Sequence, residues 1–171
     1  MKNFIFVVFL IFSVIIASSS STNSLGVRRI EITQVDEGAP ASTLPIVRGT
    51  RYCGGPGQAV SWRYETCDGE GICQVPGDDN LQRAVEFEFI PSQDVSSLGV
   101  RFVYVNDGAT TIFHDKPIAD SSVQGGVRYI LNAMGGPRHD VKGKTITLQI
   151  IIYRVETGDA EVCSEADFMI V

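Results

Sequence analysis

The chain has 171 residues, 44% of them hydrophobic and 20% charged, which is enough for one domain with a substantial core. Its 14 Lys and Arg against 20 Asp and Glu give a formal charge of −6 at pH 7. Because such a surface repels phosphate and shows no basic cluster, the composition argues against nucleic acid and anionic membrane as partners.

The N-terminus is typical of a signal peptide over residues 1–21. Lys2 precedes the apolar run Phe4–Ile16, and small residues follow at 17–21. The run is shorter than the roughly 20 residues that span a bilayer. We therefore expect no membrane insertion and a secreted, extracellular domain over 22–171.

Four cysteines in an exported chain predict two disulfides, and three pairings are possible. The flexible segment 68–71 favours Cys67–Cys73, which leaves Cys53–Cys163. The spacing Cys-x5-Cys does not suit zinc. We expect neither a metal nor a cofactor.

Hydrophobic alternation predicts strands rather than helices. In 144–155, Ile146, Leu148, Ile150 and Ile152 share one side, so this segment is the expected central strand. A short edge segment is expected at 44–47, loop at 53–57, and a tight turn at Asn106-Asp-Gly108. The eight predicted strands, in chain order, are 27–35, 59–66, 84–90, 98–105, 110–114, 127–134, 144–155 and a short last one at 166–171.

This pattern predicts an all-β fold, an immunoglobulin-like antiparallel β-sandwich of about seven or eight strands. The segment 67–80 is rich in Gly, Pro and Asp and has no periodicity, so we expect an irregular, disulfide-tied loop insert there. Unequal connections favour the sandwich over an up-and-down barrel.

The region 27–155 resembles an immunoglobulin-like module of extracellular multidomain proteins, often found beside malectin-type and other sugar-binding domains. Segments carrying the resemblance include Val27-Arg-Arg-Ile-Glu-Ile-Thr, Val100-Arg-Phe-Val-Tyr-Val and Arg128-Tyr-Ile-Leu-Asn-Ala. The resemblance implies adhesion, display or support of sugar-binding neighbours, and it supplies no catalytic or binding residues.

Tyr52, Trp62 and Tyr64 are candidate ligand-binding residues, because a sugar ring packs its C–H groups on an aromatic face. The alternative for Trp62 is the buried core tryptophan common in sandwiches.

His114 and His139, each followed by Asp, are candidates for a shared metal or acid–base site, or are solvated loop residues. The acidic residues of 68–79 suit a weak calcium site or a solvated loop.

The sequence therefore predicts a secreted, non-catalytic recognition or adhesion module that contacts an extracellular glycan or protein surface. One alternative is a small secreted enzyme or inhibitor acting on polysaccharide or protein. Another is a structural coat or matrix protein, which would associate through exposed sheet edges.

Overall fold

The computed structural model describes residues 27–36, 38, 42–77, 82–136 and 141–171. These residues contain ten β-strands and no α-helix. The predicted signal peptide and His139 lie outside these residues. No helix among them is long and apolar enough to cross a membrane. The strands are β1 (Arg28–Gln34), β2 (Arg51–Gly54), β3 (Gln58–Tyr64), β4 (Cys73–Val75), β5 (Arg83–Ile90), β6 (Leu98–Asn106), β7 (Ala109–Pro117), β8 (Tyr129–Gly135), β9 (Thr145–Arg154) and β10 (Ala160–Ile170).

The strands form two sheets that face each other, which confirms the predicted sandwich. One sheet has the order β1-β8-β5-β3, and the other has the order β2-β10-β9-β6-β7. Pairing is antiparallel throughout, except that the short β4 adds in parallel to the end of β10. The backbones of the two sheets approach each other most closely between β3 and β10.

The predicted central strand is β9, which lies between β10 and β6. Its inward side chains Ile150 and Ile152 are fully buried, as the two-residue period requires. The side chains on the opposite side of β9 are more polar, and most of them are half-buried. Alternation therefore identified both the position and the inner face of this strand.

Three segments differ from the predictions. β2 includes Cys53 and Gly54, where loop was expected, and β4 lies inside the predicted irregular insert. β10 is a continuous strand of eleven residues instead of a short one at 166–171. All three differences involve pairing with β10. β2 and β4 are too short to show a two-residue period, and both pair with β10, which is distant from them in sequence. The predicted edge segment 44–47 makes only one bridge, between Ile46 and Arg63.

The predicted turn joins β6 to β7, with Asp107 and Gly108 at φ values of 50° and 78°. β7 then runs beyond its predicted end to Pro117 as an edge strand. The register shifts by one residue where Phe102 pairs with His114 and Val103 with Ile112. Phe113 is the extra residue of this β-bulge.

Aromatic side chains fill the space between the sheets. The ring of Trp62 lies 5.4 Å from Phe168 and 6.4 Å from Phe87, centre to centre. Each of these three side chains is at most 1% exposed. Contacts of this kind add to the free energy of burial.

Both predicted disulfides are present. Cys53–Cys163 ties edge strand β2 to β10 across 110 residues of sequence. Cys67–Cys73 closes the loop that precedes β4. Bonds of this type form and persist in oxidising compartments.

Replacing Gly55 by alanine is expected to lower the free energy of unfolding by about 3 kcal/mol. Gly55 has φ of 96°, and an added Cβ would lie 2.6 Å from the carbonyl carbon of Glu161. Gly126→Ala is the matched control, since Gly126 has φ of 76° but no atom within 4 Å of its Cβ position. The control should cost about 1–2 kcal/mol in urea denaturation. Equal losses would show that crowding at Gly55 is relieved.

Candidate functional site: an apolar cavity between the sheets

A cavity opens between the two sheets at the end where β8 finishes and β9 begins. Both sheets supply its walls, so it is a gap in the core and not a surface depression. Its larger lining side chains are Tyr64, Val85, Phe102, Tyr104, Phe113, Ile146, Leu148, Phe168 and Ile170.

The cavity is narrow. The space between its walls, the mouth included, is about 610 Å³, whereas the part that admits the centre of a water molecule is about 50 Å³. On one wall the lining residues Ala133, Gly135 and Gly136 have small side chains or none, so they take up little of the space between the sheets. Few polar atoms reach the interior, and a gap of this chemistry favours apolar contents over water.

Tyr64, one of the predicted ligand-binding residues, lies on the cavity wall and is 4% exposed. Its hydroxyl donates a long hydrogen bond of 3.5 Å to the carbonyl of Gly135. Burial raises the pKa of this phenol, and the positive charge of Arg83 opposes the shift. The hydroxyl is therefore protonated at neutral pH and is one of the few polar groups in the wall.

The bulge of β7 forms the opposite wall. Phe113 is half-buried, and its ring lies 5.9 Å from Phe102 and 6.0 Å from Tyr104. β7 is an edge strand and, within the described part of the chain, pairs with β6 alone. This side of the cavity is thus the one with the fewest constraints on opening.

His114 also packs against this wall, with its ring centre 5.9 Å from that of Phe102 and the two rings edge to face. Burial, assisted by Lys116, lowers its pKa despite the adjacent Asp115. Its Nε2 is buried and has no hydrogen-bond partner in the described part of the chain. The predicted pairing with His139 is untested, and no group of three or more His, Cys, Asp or Glu among the described residues is arranged to hold a metal ion.

The other aromatic candidates lie apart from each other. Tyr52 is 64% exposed on edge strand β2, and its hydroxyl donates to the carbonyl of Gly55. Trp62 is 1% exposed and sits in the core, the alternative interpretation given for it above. Tyr52, Trp62 and Tyr64 therefore do not share an exposed face in this structure.

The acidic segment proposed as a calcium site is only partly described. Asp68 accepts a hydrogen bond from the backbone N–H of Glu70 at 2.8 Å, which closes a local turn. Residues 78 and 79 lie outside the described part of the chain. The calcium prediction stays untested.

A second, shallow groove lies at the opposite end of the sandwich and is polar. Asp94, Tyr129 and Glu156 are among its lining residues. The two carboxylates already accept hydrogen bonds, Asp94 from the N–H of Gly125 and Glu156 from the hydroxyl of Ser96. These groups support the loops at this end of the sandwich.

Arg83 is a neighbour of the lining residues Val85 and Gly135, and none of the candidates predicted from the sequence includes it. It is the first residue of β5 and pairs across the sheet with Gly135. Val85, Phe87 and Phe89 face inward, and position 83 shares their side of the strand. The predicted strand began one residue later, at Ala84. Extending the alternation by one residue would have found it.

The fold defines this protein as an immunoglobulin-like, two-sheet sandwich with a cavity between its sheets. The sequence matches no family model and no curated protein. Among solved structures it is similar to a Niemann-Pick type C2 protein from Japanese carpenter ant, with a TM-score of 0.58 and 17% identity. The similarity covers 71% of this chain and 98% of the ant protein. At this level of identity it shows a shared fold.

This match refines the resemblance noted from the sequence. The immunoglobulin-like sandwich is confirmed. The narrower part, a relationship to modules beside malectin-type domains, is corrected, because the structural match is to a Niemann-Pick type C2 protein.

Proposed function

We propose that this protein is a secreted, non-catalytic binding protein that holds the apolar part of a lipid between its two sheets. The observation that carries the proposal is the cavity whose walls come from both sheets and are almost wholly apolar. The similarity in fold to a Niemann-Pick type C2 protein supports it. Export is part of the proposal, supported by the two disulfides and the predicted signal peptide.

Lipid binding requires the cavity to widen. Typical small-molecule sites enclose about 300–1,000 Å³, which exceeds the space that water can enter here. The sheets approach each other most closely between β3 and β10, whereas Phe113 lies on the edge strand β7, so we expect the cavity to widen on the β7 side. Each methylene transferred from water contributes about 0.8 kcal/mol, which offsets the cost of parting the sheets.

Glycan recognition, the ligand class suggested by the sequence, is not the function we favour. An aromatic sugar platform needs several exposed ring faces, and Trp62 and Tyr64 are buried. Tyr52 is exposed by itself on β2. A glycan array probed with the purified protein would test this alternative directly.

Filling the cavity is expected to abolish lipid binding. Ala133 lines the cavity and is 4% exposed, so the ring of Ala133→Phe would occupy the space the ligand needs. Titration with a fluorescent fatty acid analogue, whose emission rises in apolar surroundings, should show saturable binding to the unmodified protein. Affinity should fall at least about ten-fold in the variant, which is 1.4 kcal/mol or more.

The matched control is Ala119→Phe, the same change at an exposed position beyond β7, at the opposite end of the sandwich. It should bind the probe like the unmodified protein. Circular dichroism must show that both variants keep their β-structure. No saturable binding by the unmodified protein, or equal binding by the Ala133→Phe variant, would contradict the proposed function.

A further inference from the structure

We propose that Arg83 makes this cavity selective for single-chain amphiphiles with an anionic head group, a carboxylate or a phosphate. The inference rests on the proposed function, because it concerns the head of the same ligand. It specifies a ligand class that an apolar cavity by itself would not distinguish from neutral lipids.

The first step is the position of Arg83 at the mouth of the cavity. The backbone of Arg83 pairs with that of Gly135, and the next inward residue on β5 is Val85. Gly135 and Val85 both line the cavity. The charge of Arg83 also acts on the hydroxyl of Tyr64, another wall residue. A head group at the mouth would therefore lie within reach of the guanidinium while its chain enters the gap.

The second step is the missing partner. The Nε of Arg83 is buried and has no hydrogen-bond partner, and the guanidinium forms no ion pair with any described residue. Glu65 lies nearby and accepts a hydrogen bond from the backbone N–H of Ala84 at 2.8 Å, but it forms no ion pair with Arg83. Glu86 is on the outer side of β5. Arginine N–H groups that lack a partner match a carboxylate or phosphate, which accept two such bonds at once.

The third step is a second cation beside the mouth. Lys142 follows Val141, a lining residue, and its side chain is exposed. Its stem packs over Gly77 beside Ile170 of the wall, since a Cβ at Gly77 would lie 3.2 Å from Cγ of Lys142 and 3.1 Å from Cγ2 of Ile170. The chain as a whole has a charge of −6, so two cations at this opening that form no ion pair with any described residue are not a consequence of general basicity.

Three amphiphiles with the same chain test the inference: dodecanoate, dodecyl phosphate and 1-dodecanol. Each is titrated against the full-length mature protein carrying a neutral apolar dye, and the displacement of the dye is measured. We expect dodecanoate or dodecyl phosphate to bind at least about ten-fold more tightly than dodecanol at low salt, a preference that weakens as salt rises. The tighter of the two acids identifies the head group.

Arg83→Gln is expected to reduce the ratio of acid to alcohol affinity about ten-fold, and Lys142→Gln to reduce it about two-fold. Arg48→Gln removes an exposed arginine in a turn outside the cavity and should leave the ratio unchanged. Arg83→Lys keeps the charge but not the paired donors. It should give an intermediate ratio, and it serves as the second variant should Arg83→Gln fold poorly.

The outcomes separate the two proposals. Equal binding of acid and alcohol, or an unchanged ratio in the Arg83→Gln variant, overturns the head-group inference while lipid binding stands. Displacement by none of the three amphiphiles overturns the proposed function and this inference with it.

Discussion

Replacing Cys53 and Cys163 together by alanine is expected to lower the free energy of unfolding by about 4–5 kcal/mol. The bond closes a loop of 110 residues, so its loss restores much conformational freedom to the unfolded chain. It also releases β2, which otherwise pairs with β10 at three residues and through the exposed ion pairs of Arg51 with Glu165 and Asp167. Urea denaturation with linear extrapolation measures the loss.

The second disulfide supplies the comparison. Cys67 and Cys73 are six residues apart, and the same chain-entropy relation gives about 2 kcal/mol for their double replacement by alanine. Hydrogen exchange should show faster opening of β2 in the first variant and of β4 in the second. Equal losses of stability in the two variants would contradict the entropic explanation.

Glu161→Gln is expected to destabilise the protein by about 3–5 kcal/mol at neutral pH. The Glu161 side chain is fully buried; it accepts the Nε–H of Arg154 at 2.7 Å and the backbone N–H of Ser92 at 2.6 Å. The glutamine would leave the half-buried guanidinium of Arg154 without its anion. Thermal or urea unfolding at pH 7 measures the loss.

The pH dependence of this effect has a definite sign. Burial by itself would raise the pKa of Glu161, but the hydrogen bonds from Ser92 and Arg154 outweigh burial and hold the pKa below its usual value. The carboxylate therefore stabilises the fold at pH values above its unfolded pKa of about 4.3, and this contribution is lost as the pH falls through the lower folded pKa. The difference between Glu161→Gln and the unmodified protein should shrink between pH 7 and pH 3.

Glu165→Gln is the matched control. Glu165 also pairs with an arginine, Arg51, at 3.0 Å, but the two side chains are 22% and 46% exposed. Solvent screens such a pair, so its loss should cost at most about 1 kcal/mol. A cost for Glu161→Gln as small as that of the control, or one independent of pH, would show that the buried pair is not ionised as described.

Hydrophobic alternation was sufficient to identify a strand where one face of the strand is exposed to solvent and the other is buried. The inward residues Val85, Phe87 and Phe89, and the alternation of 144–155, identified β5 and β9 and the faces they bury. The flexible segment 68–71 identified one disulfide, and the even number of cysteines then implied the other. These features depend on neighbours in the sequence.

Alternation could not identify strands that depend on pairing with segments distant in the sequence. β2 and β4 are strands only because β10 lies beside them, and neither has enough residues to show a period. The cavity was also beyond prediction, since its walls come from eight strands of two sheets and its existence depends on how closely the sheets pack. Apolar residues alternate in the sequence in the same way whether their side chains fill a core or line a cavity.

The sequence by itself determined that this chain is an all-β sandwich with two disulfides, because hydrophobic alternation acts between near neighbours in the chain and four cysteines allow only a few pairings. Only the tertiary structure decided that Tyr64 faces a cavity, that Trp62 fills the core, and that the buried Nε of Arg83 has no hydrogen-bond partner among the described residues. The physical reason is that burial and electrostatic pairing depend on what the opposite sheet brings within a few ångströms, which no local pattern encodes.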